Sequence, residues 1–211
     1  MCGKFTQMVT WRQVVDFSQP LSREAGKIET VTPMRFASVL LRDENGRRNM
    51  VRMRWGYSRR TATAPGNRPD HIHARCETID SKPTFREAFA GRRGLLFVRT
   101  FNEGKEITPR KTQQHTITPN DGQPVAIAVL WEKWENPEAG DLYTFVMVTT
   151  PPNKLIGTIT DRMPAIVQAG DCAKWLGEDP ASPAELKALL VPYEGDWCME
   201  PEKKKGEPPL L

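Results

Sequence analysis

The sequence predicts a mainly β, α+β single domain, and three observations carry that expectation. Three apolar runs of strand length, Gly94 to Phe101, Val125 to Trp131 and Tyr143 to Thr150, are rich in β-branched and aromatic residues, as buried strands are. A strong turn, Asp43-Glu44-Asn45-Gly46, separates two further strand-like segments. The helical signals are few and short. A chain of 211 residues fits one domain and can bury a core without disulfides or metals.

In chain order, Thr10-Trp11-Arg12-Gln13 has the pattern of a capping box, and Trp11, Val14, Val15 and Ser18 share one helical face, which predicts a helix ending by Pro20. Ser38 to Arg42 and Asn49 to Trp55 flank the strong turn and form a predicted hairpin. Ser58 to Asp70, rich in Pro, Gly, Thr and Arg, reads as an exposed loop. Thr84-Phe85-Arg86-Glu87 is a second capping-box pattern, opening a helix that Gly91 closes. The three apolar strands follow, separated by the turn Asn120-Asp121-Gly122 and the polar loop Glu135 to Asp141. Asp171 to Leu176 reads as a helix, and Ser182-Pro183-Ala184-Glu185 starts a last one that Pro192 ends. Residues 1–200 form the expected domain. Residues 201–211, with Lys203-Lys204-Lys205 and several Pro and Gly, form an expected disordered tail.

Composition narrows the function classes. No stretch of ~18 apolar residues could span a bilayer, and the N-terminus has no apolar signal region, so a cytoplasmic protein without membrane association is expected. The net charge of +4 is mild, but arginine is clustered: Arg47, Arg48, Arg52, Arg54, Arg59, Arg60 and Arg68, then Arg86, Arg92, Arg93 and Arg99. Planar guanidinium groups suit phosphate, and they equally suit a solvated strand face. Cys2, Cys76, Cys172 and Cys198 show no CxxC spacing. His71-Ile72-His73 could present two imidazoles on one strand face, but neither His115 nor a cysteine is spaced to complete a metal site. No metal and no cofactor is expected. GxSxG, P-loop, GxGxxG and HExxH patterns are absent.

Cys2 is the position with distinctive chemistry. Methionine removal before a small second residue would leave an N-terminal cysteine, a 1,2-aminothiol. Its amine, with a reference pKa of about 7.7–8.0, is partly neutral at physiological pH. Such an amine condenses with an aldehyde to an imine, and the thiol can close on the imine carbon to a thiazolidine. An N-terminal cysteine is also the nucleophile of autoprocessing amidohydrolases, and an ordinary second residue remains the plain alternative.

The blocks around it extend the pattern. Met1-Cys2-Gly3-Lys4-Phe5 resembles the MCGRF start of the SRAP family (SOS-response-associated peptidase, or abasic-site processing proteins). In register follow Val31-Thr32-Pro33, Arg54-Trp55-Gly56-Tyr57, Ala74-Arg75-Cys76-Glu77-Thr78 and Lys82-Pro83-Thr84-Phe85-Arg86. Arg93 to Gly104, Leu130 to Trp134, Thr149 to Asn153 and Asp161-Arg162-Met163-Pro164 continue the match, which covers roughly residues 2 to 190. The resemblance implies a β-rich, barrel-like fold and a monomer. It implies binding of single-stranded DNA containing abasic sites, and a covalent thiazolidine between Cys2 and the ring-opened sugar, within the DNA damage and SOS response. It implies Glu103 as the family's catalytic glutamate, shuttling protons. It also implies contact of Lys4, Arg54, Trp55, Arg75, Arg86 and Arg162 with DNA or the cleft that holds it, with structural ion pairing as the other role open to the arginines.

Two departures qualify that implication. His73 stands where the family has Asn, and Thr160 where it has the His of HDRMP. Threonine is no base near neutral pH, so His73 is the expected substitute for proton transfer. The alternatives are a thiol autopeptidase acting at its own N-terminus and a paralogue that binds single-stranded DNA without chemistry. Two of the three aromatics of the family's DGFYEW stretch are also missing from Arg99-Thr100-Phe101-Asn102-Glu103-Gly104.

Overall fold

The computed structural model of the chain describes residues 2–7, 29–62, 66, 68–135 and 140–202. The helix expected between Thr10 and Pro20 lies outside them, as do residues 203–211. Among the described residues thirteen strands form two sheets. One is five-stranded, built from β1 (Lys4–Gln7), β2 (Glu29–Val31), β7 (Thr100–Thr108), β8 (Lys111–Pro119) and β13 (Trp197–Pro201), in the order β13-β8-β7-β1-β2. The other contains β3 (Phe36–Arg42), β4 (Arg48–Trp55), β6 (Arg93–Val98), β9 (Val125–Trp134) and β10 (Leu142–Thr150). These five run in the order β10-β4-β3-β6-β9, and β9 pairs back onto β10, so the sheet closes into a barrel. Closure removes the free edges that would otherwise invite pairing with other chains. The short β5 (His73–Arg75) adds to β10 in parallel, β11 (Met163–Pro164) adds to β10, and β12 (Ile166–Val167) adds to β9.

The barrel strands are apolar on both faces because both are covered. Val39, Leu96, Ile127 and Phe145 pack with Phe5, Phe101, Ile117 and Trp197 of the five-stranded sheet. Their neighbours Leu40, Leu95, Ala128 and Val146 pack instead with the helices α1 (Arg86–Gly91), α2 (Cys172–Leu176) and α3 (Pro183–Ala188), through Phe89, Trp175 and Leu186. The period-two alternation of a strand thus divides one wall between two cores.

The expected hairpin forms around Asp43, whose Oδ1 accepts from the backbone N–H of Asn45 and of Arg47, with Gly46 at φ +77. The last helix carries a complete capping box, with Ser182 and Glu185 bonded reciprocally. Two expectations are corrected. Thr84 does not cap α1. Its hydroxyl accepts from Arg59 Nη2 at 2.6 Å, and a charge-assisted bond displaces the weaker cap. Gly94 to Phe101 is not one strand. Val98 pairs with Val125 in the barrel and Thr100 with Thr6 in the other sheet, so the chain changes sheets at Arg99, whose N–H donates to Thr6 O. That crossing aims Leu96, Val98 and Phe101 into one core.

Candidate active site

Register brings the candidate residues together. Lys4 opposes Asn102 and Phe5 opposes Phe101, so the chain leading into β1 lies beside Glu103 on β7. Cys2 is buried in the core shared by the two sheets, and its Sγ donates to Lys4 O at 3.3 Å. Between them Gly3 is exposed, and a side chain there would meet nothing within 4 Å. On the far side, β5 pairs with β10 through His73 opposite Met147. Trp55 holds these pieces: its ring lies 5.3 Å from Phe5, 6.1 Å edge-on from His73 and 6.4 Å from Phe145, and its indole N–H donates to Ile72 O at 3.0 Å.

The electrostatics follow from burial. Glu103 is almost wholly enclosed, which pushes its carboxyl up to about 7; Asp161 raises it further, and the Cys2 backbone works the other way. The Cys2 thiol is pushed up to about 12, first by burial and then by the charge of Glu103, so it is neutral at physiological pH. Burial lowers His73 to about 4, partly offset by the neighbouring Cys2 backbone. His73 stands beside Cys2, and burial leaves its imidazole a weak base, which speaks against the proton-transfer role expected of it. Thr160 lies in a turn, its N–H bonded to Ile156 O, next to the Asp161 that acts on Glu103. Asn153 orders that turn: its Oδ1 accepts from Ile156 N and its amide donates to Tyr193 O.

The expected DNA-contacting residues divide. Arg75 is exposed on β5, two residues beyond His73 and so on the same strand face, flanking the site. Arg54 is half-buried, donates to Ser58 Oγ at 3.2 Å, and lies opposite the exposed Phe36. Lys4 is held by an ion pair with Glu202. Trp55 is a correction, because a fully buried ring offers no face for a base to stack on. Arg162 is another: its guanidinium is bidentate to Glu77 and also bonds Thr149 O at 2.7 Å, so its donors serve the fold. Arg86 lies on α1, which packs into the other core, away from Cys2. Several clustered arginines are likewise structural. Arg48 chelates Glu178, Arg92 pairs with Glu132, and Arg93 ties the carbonyls of Phe89, Ala90 and Trp175. One neighbour escaped the sequence reading: His115 on β8 lies directly opposite Glu103. Only hairpin register reveals it, since the segment carries no strong strand pattern. Among the described residues no three His, Cys, Asp or Glu side chains are grouped to hold a metal, and no helix is long and apolar enough to cross a membrane.

A β-rich domain with a buried cysteine beside a buried glutamate has relatives. The profile of the family described as SOS response associated peptidase (SRAP) matches residues 1–203. The chain belongs to this family. It is 30% identical over 200 residues to the abasic site processing protein YoqW of Bacillus subtilis, covering 93% of this chain and 89% of that one. It is 27% identical over 179 residues to the abasic site processing protein HMCES of Xenopus tropicalis, covering 72% of this chain and 52% of that longer one. A crystal structure of a protein from Bacteroides thetaiotaomicron shares the fold, with a TM-score of 0.78 at 19% identity over 96% of this chain and 92% of that one.

Proposed function

We propose that this protein processes abasic sites in single-stranded DNA by forming a thiazolidine between Cys2, freed of Met1, and the aldehyde of the ring-opened sugar. The observation that carries the reading is the burial of Cys2 against Glu103, whose carboxyl lies near 7. At that value the carboxyl is present in both protonation states at neutral pH, as a group that must give and take protons requires. Because burial keeps the thiol protonated, its proton must leave as sulfur adds to the iminium carbon, and Glu103 is the group beside it that can take it. Relatives named abasic site processing proteins support the substrate class. Arg75 and Arg54 contact the phosphates flanking the lesion, and His73 stands beside Cys2. The protein acts as a monomer in the cytoplasm, without a cofactor.

The test is a denaturing gel with an oligonucleotide containing one abasic site, with Met1 removal checked by intact mass. The parent gives a heat-stable adduct. Cys2→Ala gives none, and Cys2→Ser almost none, while both still bind the strand. A full-yield adduct with Cys2→Ala removes Cys2 from the reaction. A parent that binds the strand but gives no adduct leaves a DNA-binding paralogue.

A further inference from the structure

We infer that His115 is the positioning residue through which Glu103 exchanges protons with solvent, supplying from β8 the imidazole that Thr160 cannot. The inference rests on the proposed function. Glu103 and His115 are directly opposed in the antiparallel pair β7–β8. Such residues share a face, with Cβ atoms about 4.5–5.5 Å apart. The next pair fixes which face. A Cβ on Gly104 would meet Thr112 Cγ2 at 2.5 Å and Gln114 Nε2 at 2.9 Å, so Gln114 and Thr112 occupy the opposite side. Glu103 and His115 therefore turn to the side of Phe101 and Ile117, the side of the core that holds Cys2.

Their exposures differ in the useful sense. Glu103 is sealed from water, whereas His115 is half-buried, with Nδ1 closed off and the residue as a whole reaching solvent. An imidazole can take a proton on one nitrogen and release one from the other. The surrounding charges do not compete for it. On its other side His115 meets Pro201 of β13, which carries neither charge nor N–H; the nearby Lys4 and Glu202 neutralise each other, and Asp161 acts on Glu103.

The reaction needs this outlet. The Cys2 ammonium must lose one proton before its amine attacks the aldehyde carbon, and that proton passes to the Glu103 carboxylate. Glu103 then protonates the carbinolamine hydroxyl, which leaves as water as the C=N bond forms. The thiol sulfur adds to the iminium carbon, forming the C–S bond, and its proton returns to Glu103. One proton more than the starting carboxylate held remains on Glu103, and His115 carries it to water.

The experiment measures adduct formation on the abasic oligonucleotide from pH 6 to 8. The variants are His115→Gln and His115→Ala, with binding measured separately on a tetrahydrofuran analogue that lacks the aldehyde. His115→Gln is expected to slow formation ~10-fold or more, since proton-transfer help is typically worth 10²–10⁴-fold and a relay is one step removed. Binding to the analogue stays within about twofold, and added imidazole restores much of the rate in His115→Ala. A rate within about twofold of the parent overturns the inference, and so does a slow variant that imidazole does not rescue, because that marks a packing role. If the parent itself forms no adduct, the proposed function falls and the Glu103 carboxyl is followed by ¹³C NMR. A Glu103 signal whose pH response changes in His115→Gln retains the contact between the two side chains; identical curves overturn it.

Discussion

Glu103 and His73 sit on either side of Cys2, and burial has moved their protonation in opposite senses. Glu103 is raised from an ordinary 4.5 to about 7, so between those values the native state holds a proton that the unfolded chain has lost, and stability falls as pH rises. His73 is lowered from 6.5 to about 4, so across that window the unfolded chain holds the extra proton, and stability rises with pH. The two slopes oppose each other between about pH 4.5 and 6.5. Urea midpoints measured from pH 4 to 8 should separate them. Relative to the parent, Glu103→Gln should gain stability as pH rises from about 4.5 to about 7 and level off above that. His73→Asn should gain it as pH falls below 6.5. A flat difference for either variant means that the group titrates normally in the folded protein. The arginines separate by a different readout. Arg75→Ala should weaken binding to every single strand alike and lower the salt slope by about 1, one phosphate contact fewer. Arg162→Ala should leave that slope intact and cost about 1–3 kcal/mol of stability, because it frees the Thr149 carbonyl and half-exposed Glu77.

Among the elements, β6 has little room at its glycine. At Gly94 an added methyl would meet Val39 Cγ1 at 2.8 Å and the Leu40 carbonyl oxygen at 3.0 Å, with Val129 at 3.3 Å beyond. Two of these neighbours are β-branched and the third is backbone, so none can rotate away. Gly94→Ala should therefore destabilise by about 1–3 kcal/mol, as overpacking does, seen as a lower denaturation midpoint with an unchanged slope on denaturant. The turn at Gly56 has a related constraint. Its φ is +143, and a methyl there would come within 2.9 Å of Pro69 Cβ, so the position is reserved for glycine. That turn follows Trp55 directly, so the Arg54-Trp55-Gly56-Tyr57 block carries backbone geometry as much as chemistry.

Across the whole molecule, the two cores share their walls. Strands β3, β6, β9 and β10 send alternate residues into each, so neither core survives loss of the barrel. Unfolding should be a single transition. With fluorinated tryptophan, ¹⁹F NMR can follow Trp55 in one core and Trp175 in the other through a urea series, and the two curves should coincide. Separated midpoints would show that the helical side can melt while the active-site side stands.

The sequence by itself determined the elements whose signals are local. The Asp43–Gly46 hairpin, the capped helix at Ser182 and the apolar strands of the barrel are legible because turn chemistry, capping and period-two burial act between residues close in the chain. The family blocks likewise marked Cys2 and Glu103. What only the tertiary structure decided is which long-range partner each polar group finds. Arg162 looked free to meet phosphate until Glu77 and Thr149, distant in sequence, were seen to hold it. Trp55 stood among the expected DNA contacts until Phe5, His73 and Phe145 were seen to surround it. The β7–β8 hairpin, weakly apolar and interrupted by charge, carries little strand signal, so the placement of His115 opposite Glu103 rested on register alone. Burial and register come from contacts across the whole chain, and protonation follows burial.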